Sequence, residues 1–160
     1  MPYLTAIPLT GAPGRLFRSA MPFRYDKGEL LGEALAQGVG TVVMLVSKQE
    51  GLDKARCDLL AEYASRKLEC IHMPIIDYGV PGPGGLDAFR KSVAGCVDML
   101  GGGGNVLVHC AAGIGRTGMF LACVVRRVEG MDAGDAILRI RSIVPGAVET
   151  QAQEDLVQLC

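Results

Sequence analysis

The sequence has no tryptophan, only two histidines, and an aromatic content of 5% over 160 residues. It also lacks long apolar runs: stretches such as 41–46 and 119–125 are far too short to cross a bilayer, so no membrane span is predicted. A formal net charge of −1 provides no basic field for nucleic acid, which excludes a nucleic-acid partner. The first residues show no basic stretch followed by an apolar one, so the cytoplasm is the expected location.

The six cysteines form no CxxC pair, which removes the common zinc and thioredoxin patterns. No metal site and no cofactor are therefore predicted. In a reducing compartment, we expect these cysteines to be free thiols.

The composition itself is that of an ordinary folded chain, 49% hydrophobic and 21% charged, with a length that suits one domain over residues 1–160. Periodicity predicts strands over 41–46, 68–76 and 105–109, and helices over 26–37, 52–67, 86–100, 117–129, 132–144 and 149–159. This alternation predicts an α/β fold with a central, mostly parallel sheet of four to five strands, flanked by helices on both faces. Ligands of such folds bind beyond the carboxyl ends of the strands.

The loop after the predicted strand 105–109 combines Cys110 with Arg116 six residues later. A short loop between a strand and a helix can turn its N–H groups inward, and glycines permit the backbone angles that this needs. The helix that follows adds free N–H donors and the positive end of its dipole. The guanidinium of Arg116 matches two oxygens of a phosphate. We therefore predict that phosphate or another oxyanion binds to Ala111, Ala112, Gly113, Ile114, Gly115 and Arg116.

The same surroundings would activate Cys110. A helix N-terminus and a nearby cation favour the thiolate form of a cysteine, which is the nucleophilic form. This thiolate would face the phosphorus of a bound phosphate, and the Thr117 hydroxyl could donate to the sulfur and help it leave. A buried cysteine followed by an N-capping threonine is the structural alternative, but a chance match to Cys-x5-Arg-Thr is rare.

Hydrolysis of a phosphate ester also needs a proton for the leaving group, and Asp77 is the candidate donor. It follows the predicted strand 68–76, at the edge where the Cys110 loop is expected. The glycines and prolines after it would let this segment close over the site. An aspartate in this position could instead only cap a turn.

The run 109–118, His-Cys-Ala-Ala-Gly-Ile-Gly-Arg-Thr-Gly, resembles the signature of the protein tyrosine phosphatase superfamily. The pattern Pro-Ile-x-Asp-x-x-x-Pro at 74–81 resembles the general-acid loop of the compact dual-specificity members. The resemblance implies the cysteine phosphatase fold and a two-step reaction through a phosphocysteine intermediate, without metal. It also implies that Gln153 places the attacking water, with Gln151 as a weaker alternative. His109 is expected to support the site, as is Arg18 in the stretch 14–22.

The neutral side chains at positions 111, 112 and 114 bear on the substrate. A polyanion would need extra cations, and this loop supplies only Arg116. We therefore expect a phosphorylated protein as the partner, with phosphotyrosine favoured over phosphoserine and phosphothreonine. A phosphoinositide or inositol phosphate phosphatase is the alternative, and a catalytically inactive phospho-binding module is a remote one. Lys48, in the segment 47–50 after the predicted strand 41–46, is expected on the rim of the site, at the same edge of the sheet as the Cys110 loop.

Overall fold

The computed structural model describes residues 2–160, and its strands form one five-stranded sheet in the order β1-β2-β5-β3-β4. The strands are β1 (Thr5–Ile7), β2 (Leu16–Ser19), β3 (Val39–Met44), β4 (Glu69–His72) and β5 (Asn105–His109). Strands β2, β5, β3 and β4 run parallel, and only β1 is antiparallel to its neighbour. The prediction of a mostly parallel sheet of four to five strands is confirmed.

The helices are α1 (Glu29–Ala36), α2 (Lys48–Ala55), α3 (Leu59–Ser65), α4 (Leu86–Gly101), α5 (Gly115–Glu129), α6 (Ala133–Ile143) and α7 (Gln151–Leu159). From β2 the chain passes through α1 to β3, and then through α2 and α3 to β4 at the edge of the sheet. It returns from β4 to β5 through α4. Because such crossovers are right-handed, the reversal places α4 on the opposite face. Helix α5 packs against α4, α6 and α7, so both faces are covered as predicted.

The predicted helix 52–67 is wrong in its boundaries, because the chain forms two helices there. Arg56 adopts a left-handed backbone conformation with φ 62°, which ends α2. Asp58 then begins a new helix, since its side chain accepts a hydrogen bond from the Ala61 N–H at 3.2 Å. Apolar spacing continues across the break, so periodicity alone could not reveal it.

The predicted strand 68–76 is also too long, since β4 ends at His72. Beyond it, the N–H groups of Met73 and Ile75 still donate to the carbonyls of Met44 and Leu45 at 3.0 Å. Pro74 has no N–H to contribute to a ladder. Strand β1 was not predicted, because three residues are too few to show a period of two.

Strand β5 lies at the centre of the sheet, and Val106, Leu107 and Val108 are fully buried. The parallel strands end at one edge, where β5 leads into the Cys110 loop, β2 into the segment 20–28, and β4 into the Asp77 segment. The sheet therefore assembles the candidate site residues at the edge that the fold class predicts. Within residues 2–160, every helix falls short of the length and apolar character that a bilayer-spanning segment needs.

Candidate active site

The loop 110–114 is a concave nest whose carbonyl groups point outward. The Arg18 guanidinium donates from Nη2 to the Ala112 carbonyl at 2.9 Å and from Nε to the Gly113 carbonyl at 3.0 Å. Because the N–H and C=O of a trans peptide point in opposite directions, the N–H groups that follow these carbonyls turn inward. The Gly113 N–H accordingly donates to Cys110 Sγ at 3.3 Å. This is the geometry of an anion-binding nest around the sulfur.

Gly113 is the position in this loop where glycine is required. Its φ is +75°, in the left-handed region, and a Cβ there would overlap the Arg18 guanidinium and the Ser19 carbonyl. Arg18 thus touches the outer side of the loop, where the sequence predicted a supporting residue. Burial lowers the pKa of its guanidinium, although an arginine remains charged throughout the physiological range.

Arg116 lies on the first turn of α5, and its side chain is 1% exposed. Glu50 holds it in a two-pronged ion pair, with Nη1 to Oε2 at 2.8 Å and Nη2 to Oε1 at 3.0 Å. Nη1 also donates to the Ile75 carbonyl at 2.9 Å, and Nη2 lies 3.1 Å from Asp77 Oδ1. The plane of the guanidinium is therefore set before any ligand arrives.

Glu50 belongs to the segment 47–50, which was expected on the rim, but no role was predicted for Glu50. Burial alone would raise the pKa of Glu50, but hydrogen bonds from Arg116 and Lys54 outweigh this and lower it to about 2. The only signal was its position, on the first turn of a helix that begins at the active edge of the sheet. Lys48, which was expected on the rim, forms an exposed ion pair with Asp58 at 3.2 Å.

Asp77 occupies a tight turn beside the Cys110 loop. Its Oδ1 accepts from the Tyr78 N–H at 3.0 Å, and the Gly79 N–H donates to the Ile76 carbonyl at 2.8 Å. The side chain is 51% exposed while its Oδ1 pairs with Arg116. Asp77 therefore shapes a turn and also reaches Arg116, and its role as the general acid stays a prediction.

Gln153 is fully buried and connects α7 to the Asp77 segment. Its Oε1 accepts from the Glu149 N–H at 2.8 Å, and its Nε2 donates to the Gly79 carbonyl at 3.1 Å. Gln151, the weaker alternative, is exposed and bonds to Asp155 on the same helix. In this structure the Gln153 amide holds the segment that carries Asp77, and its role in placing water stays a prediction.

His109 supports Cys110 through a buried hydrogen-bonded chain. Its Nδ1 lies 2.9 Å from the Cys110 carbonyl, and its Nε2 lies 2.6 Å from the Tyr63 hydroxyl. Because a carbonyl can only accept, Nδ1 carries the proton, and the Tyr63 hydroxyl donates to Nε2. Burial lowers the pKa of His109 to about 4, so the ring is neutral at physiological pH and this tautomer persists. Tyr63 was not singled out from the sequence, because its spacing resembles that of any core residue.

Replacing Tyr63 with phenylalanine should lower the free energy of unfolding by about 1–3 kcal/mol, because it leaves a buried acceptor on His109 without a donor. The backbone at Cys110 would lose part of its support, so kcat should fall as well. Urea unfolding and aryl phosphate turnover measure the two effects. Tyr25→Phe is the matched control, because Tyr25 is 76% exposed. Equal stability in both variants would contradict the chain of hydrogen bonds.

The loop encloses a cavity of about 170 Å³. Thr117 lies just after the arginine, and within residues 2–160 its buried Oγ1 has no hydrogen-bond partner. These groups can perform three chemical tasks. The inward N–H groups and the Arg116 guanidinium can bind an oxyanion, the Cys110 thiol can attack it, and the Asp77 carboxyl group can protonate a leaving group. The lining residues are Arg24, Lys54, Asp77, Tyr78, Cys110, Ala111, Ala112, Gly115, Arg116 and Glu149.

A cysteine and an arginine held in such a nest, between the central strand and a helix N-terminus, define the class of cysteine-based phosphatase domains. Over residues 12–157, the chain matches the family described as Swiss Army Knife protein, DSP-PTPase phosphatase domain. The chain belongs to this family, within the protein tyrosine phosphatase superfamily and among its compact, dual-specificity-like members.

Curated relatives match parts of the chain. Protein tyrosine phosphatase domain-containing protein 1 of Danio rerio is 42% identical over 50 residues, which is 31% of this chain and 7% of that protein. Tyrosine-protein phosphatase CDC14 of Candida albicans is 31% identical over 87 residues, which is 54% of this chain and 16% of that protein. The chain therefore spans only a small share of the length of these relatives.

Solved structures match nearly the whole chain. Tk-PTP in its active form is 26% identical with a TM-score of 0.74, over 97% of this chain and 95% of that one. Kinase associated phosphatase with its catalytic cysteine changed to serine is 20% identical with a TM-score of 0.86, over 98% and 93%. At 20% identity, the similarity to kinase associated phosphatase supports the fold alone.

Proposed function

We propose that this phosphatase domain, over residues 1–160, is a cysteine-dependent protein phosphatase that acts through a phosphocysteine intermediate, with phosphotyrosine favoured. The proposal rests on the observation that Cys110, Arg116 and Asp77 line one cavity of about 170 Å³. Family membership supports phosphatase chemistry, and this geometry supports the roles of the individual residues. The cytoplasm stays the expected location.

In the first step, the phosphate of the substrate enters the nest and takes the place of the Asp77 carboxylate at Arg116 Nη2. The Cys110 thiolate attacks phosphorus, and a sulfur–phosphorus bond forms while the ester bond breaks. Once displaced from Arg116, the Asp77 carboxylate takes up a proton from solvent, and the resulting carboxylic acid gives this proton to the departing oxygen. The N–H groups of the loop and the fork of Arg116 stabilise the charge on the transferring phosphoryl group.

In the second step, water attacks the phosphocysteine and the sulfur–phosphorus bond breaks. The Asp77 carboxylate accepts the proton of this water, and the Gly113 N–H donates to the released thiolate. The Thr117 hydroxyl, which has no partner within the described residues, would donate to the sulfur once it turns towards it. Gln153 places the water in this proposal. To do so, its amide must release the Gly79 carbonyl, so movement of the Asp77 segment would accompany the second step.

The surroundings of the cavity support a protein substrate. Asp77 is flanked by two exposed side chains, Ile76 at 80% and Tyr78 at 65%, which offer apolar contact to a peptide and to an aromatic ring. Positions 111, 112 and 114 of the loop are neutral.

A phosphoinositide or inositol phosphate substrate is the second candidate, and one observation favours it. The phosphate loop itself supplies only Arg116, but two further cations, Arg24 and Lys54, line the cavity.

The deciding experiment measures phosphate release from phosphotyrosyl, phosphothreonyl and phosphoinositide substrates, with a metal chelator present. We expect the highest kcat/KM for the phosphotyrosyl peptide, because its aromatic ring can reach the exposed flank of Asp77. A higher value for the phosphoinositide would replace the protein substrate with a lipid. A strict requirement for added metal would contradict the cysteine mechanism.

A further inference from the structure

Two cations in the cavity have no part in the proposed mechanism, and the first is Arg24. It lies in the turn that follows β2, which is fastened to the phosphate loop because the Met21 N–H donates to the Ala111 carbonyl at 3.0 Å. The Arg24 N–H donates in turn to the Met21 carbonyl at 3.4 Å. The position of Arg24 beside the loop is therefore set by the backbone.

The Arg24 side chain is available to a ligand. Its guanidinium lies over the Tyr25 ring, 4.9 Å from the centroid, and Tyr25 is 76% exposed. Within residues 2–160, this guanidinium forms no side-chain hydrogen bond and no ion pair. An aromatic face orients a guanidinium without neutralising its charge. Arg24 thus presents an uncompensated positive charge to the cavity.

Lys54 is the second cation, and the carboxylate of Glu50 links it to Arg116. Its Nζ is 2.8 Å from Glu50 Oε1, the same oxygen that accepts from Arg116 Nη2 at 3.0 Å. The single negative charge of Glu50 is thus shared between two positive charges. The Lys54 ammonium has three N–H donors and its side chain is 33% exposed, so it can donate to a further anion while it stays paired with Glu50.

The charge balance of the cavity limits what that anion can be. Asp77, Glu149 and Cys110 also line the cavity, and Cys110 acts as a thiolate in the proposed mechanism. Several additional phosphates would meet these negative groups, whereas one carboxylate adds a single negative charge beside Arg24 and beside Lys54, which shares Glu50 with Arg116. Successive residues of a peptide lie about 3.8 Å apart along the chain, so a neighbouring acidic side chain can reach the rim of the cavity.

We propose that Arg24 and Lys54 form a subsite for one carboxylate next to the phosphorylated residue. The preferred substrate is then a phosphotyrosyl peptide with glutamate or aspartate beside the phosphotyrosine. This inference rests on the proposed protein phosphatase function and adds its sequence preference.

The test uses two phosphotyrosyl peptides that differ only in having glutamate or glutamine on both sides of the phosphotyrosine. For the unaltered protein, kcat/KM should be about fivefold higher for the glutamate peptide, as expected for exposed ion pairs, with most of the difference in KM. The ratio should approach one as salt is raised, because salt screens exposed charges. A purely structural role of Arg24 and Lys54 would give no such dependence on salt.

The variants Arg24→Gln and Lys54→Gln should each lower this ratio, and the double variant should bring it close to one. The ratio within each variant is compared, because Lys54 contacts Glu50 and its loss can also change kcat through Arg116. Glu149→Gln should act in the opposite direction and raise the ratio. Lys91→Gln, an exposed position on α4 away from the cavity, is the charge-matched control and should leave the ratio unchanged.

The outcomes separate the two proposals. If the glutamine peptide is hydrolysed as fast as the glutamate peptide, or if Arg24→Gln leaves the ratio unchanged, the subsite is overturned and the phosphatase function stands. If Arg24→Gln slows only the hydrolysis of a soluble inositol bisphosphate, the peptide preference is wrong. If the unaltered protein hydrolyses neither peptide, the protein phosphatase function fails, and the subsite fails with it.

Discussion

Replacing Cys110 with serine should lower the turnover of an aryl phosphate by at least about 10⁴-fold, the order of loss expected when a catalytic nucleophile is removed. A serine hydroxyl stays protonated at neutral pH, and the helix N-terminus that favours a thiolate does not make it an alkoxide. The Gly113 N–H and the Arg116 fork would remain, so inorganic phosphate should still bind. Steady-state kinetics and calorimetric titration with phosphate measure the two quantities.

The matched control is Cys57→Ser, at a partly exposed cysteine that does not line the cavity. Its turnover should equal that of the unaltered protein. Unchanged hydrolysis in Cys110→Ser would contradict the covalent mechanism. Loss of phosphate binding together with turnover would show that the substitution had disrupted the nest rather than the nucleophile alone.

Replacing Asp77 with asparagine should slow the hydrolysis of an alkyl or unsubstituted phenyl phosphate by about 10²–10⁴-fold, the contribution expected of a general acid. An activated aryl phosphate should lose much less, because a nitrophenolate leaves without a proton. A plot of kcat against leaving-group basicity should therefore be steeper for the variant. This dependence separates a proton donor from a residue that only shapes the turn.

The ion pair between Asp77 Oδ1 and Arg116 Nη2, at 3.1 Å, adds a second readout for the same variant. The carboxylate occupies a donor that a phosphate would use, so neutral asparagine should let inorganic phosphate bind more tightly. Asp98→Asn, an exposed position on α4, is the control for the change of charge. Equal losses on activated and unactivated substrates would remove Asp77 as the acid.

Much of the site could be predicted because it is local in sequence. Cys110 and Arg116 belong to one strand–loop–helix unit, and the strand 105–109 has the predicted boundaries. Asp77 could be placed because parallel strands end at a common edge, even without knowing the details of the turn. Arg18 could be assigned only a supporting role, since its contacts with Ala112 and Gly113 span more than 90 residues.

The residues that escaped prediction act across long sequence distances. Glu50 reaches Arg116 over 66 residues, and Tyr63 reaches His109 over 46. A glutamate on a first helical turn and a tyrosine on an amphipathic helix are common features, so neither carries a local signal. The cations Arg24 and Lys54 could not be placed beside the neutral loop for the same reason, because they come from other parts of the chain.

The sequence by itself therefore determined the form of the loop 110–116, because a cysteine, glycines, an arginine and a helix start at fixed spacing allow few backbone geometries. It also determined the fold class, because strands and helices alternate and most strands are apolar. Only the tertiary structure decided which charges surround the loop and how Arg116, Asp77 and Gln153 are held. Those properties depend on side chains far apart in the chain, which share one surface only because the parallel strands end at one edge of the sheet.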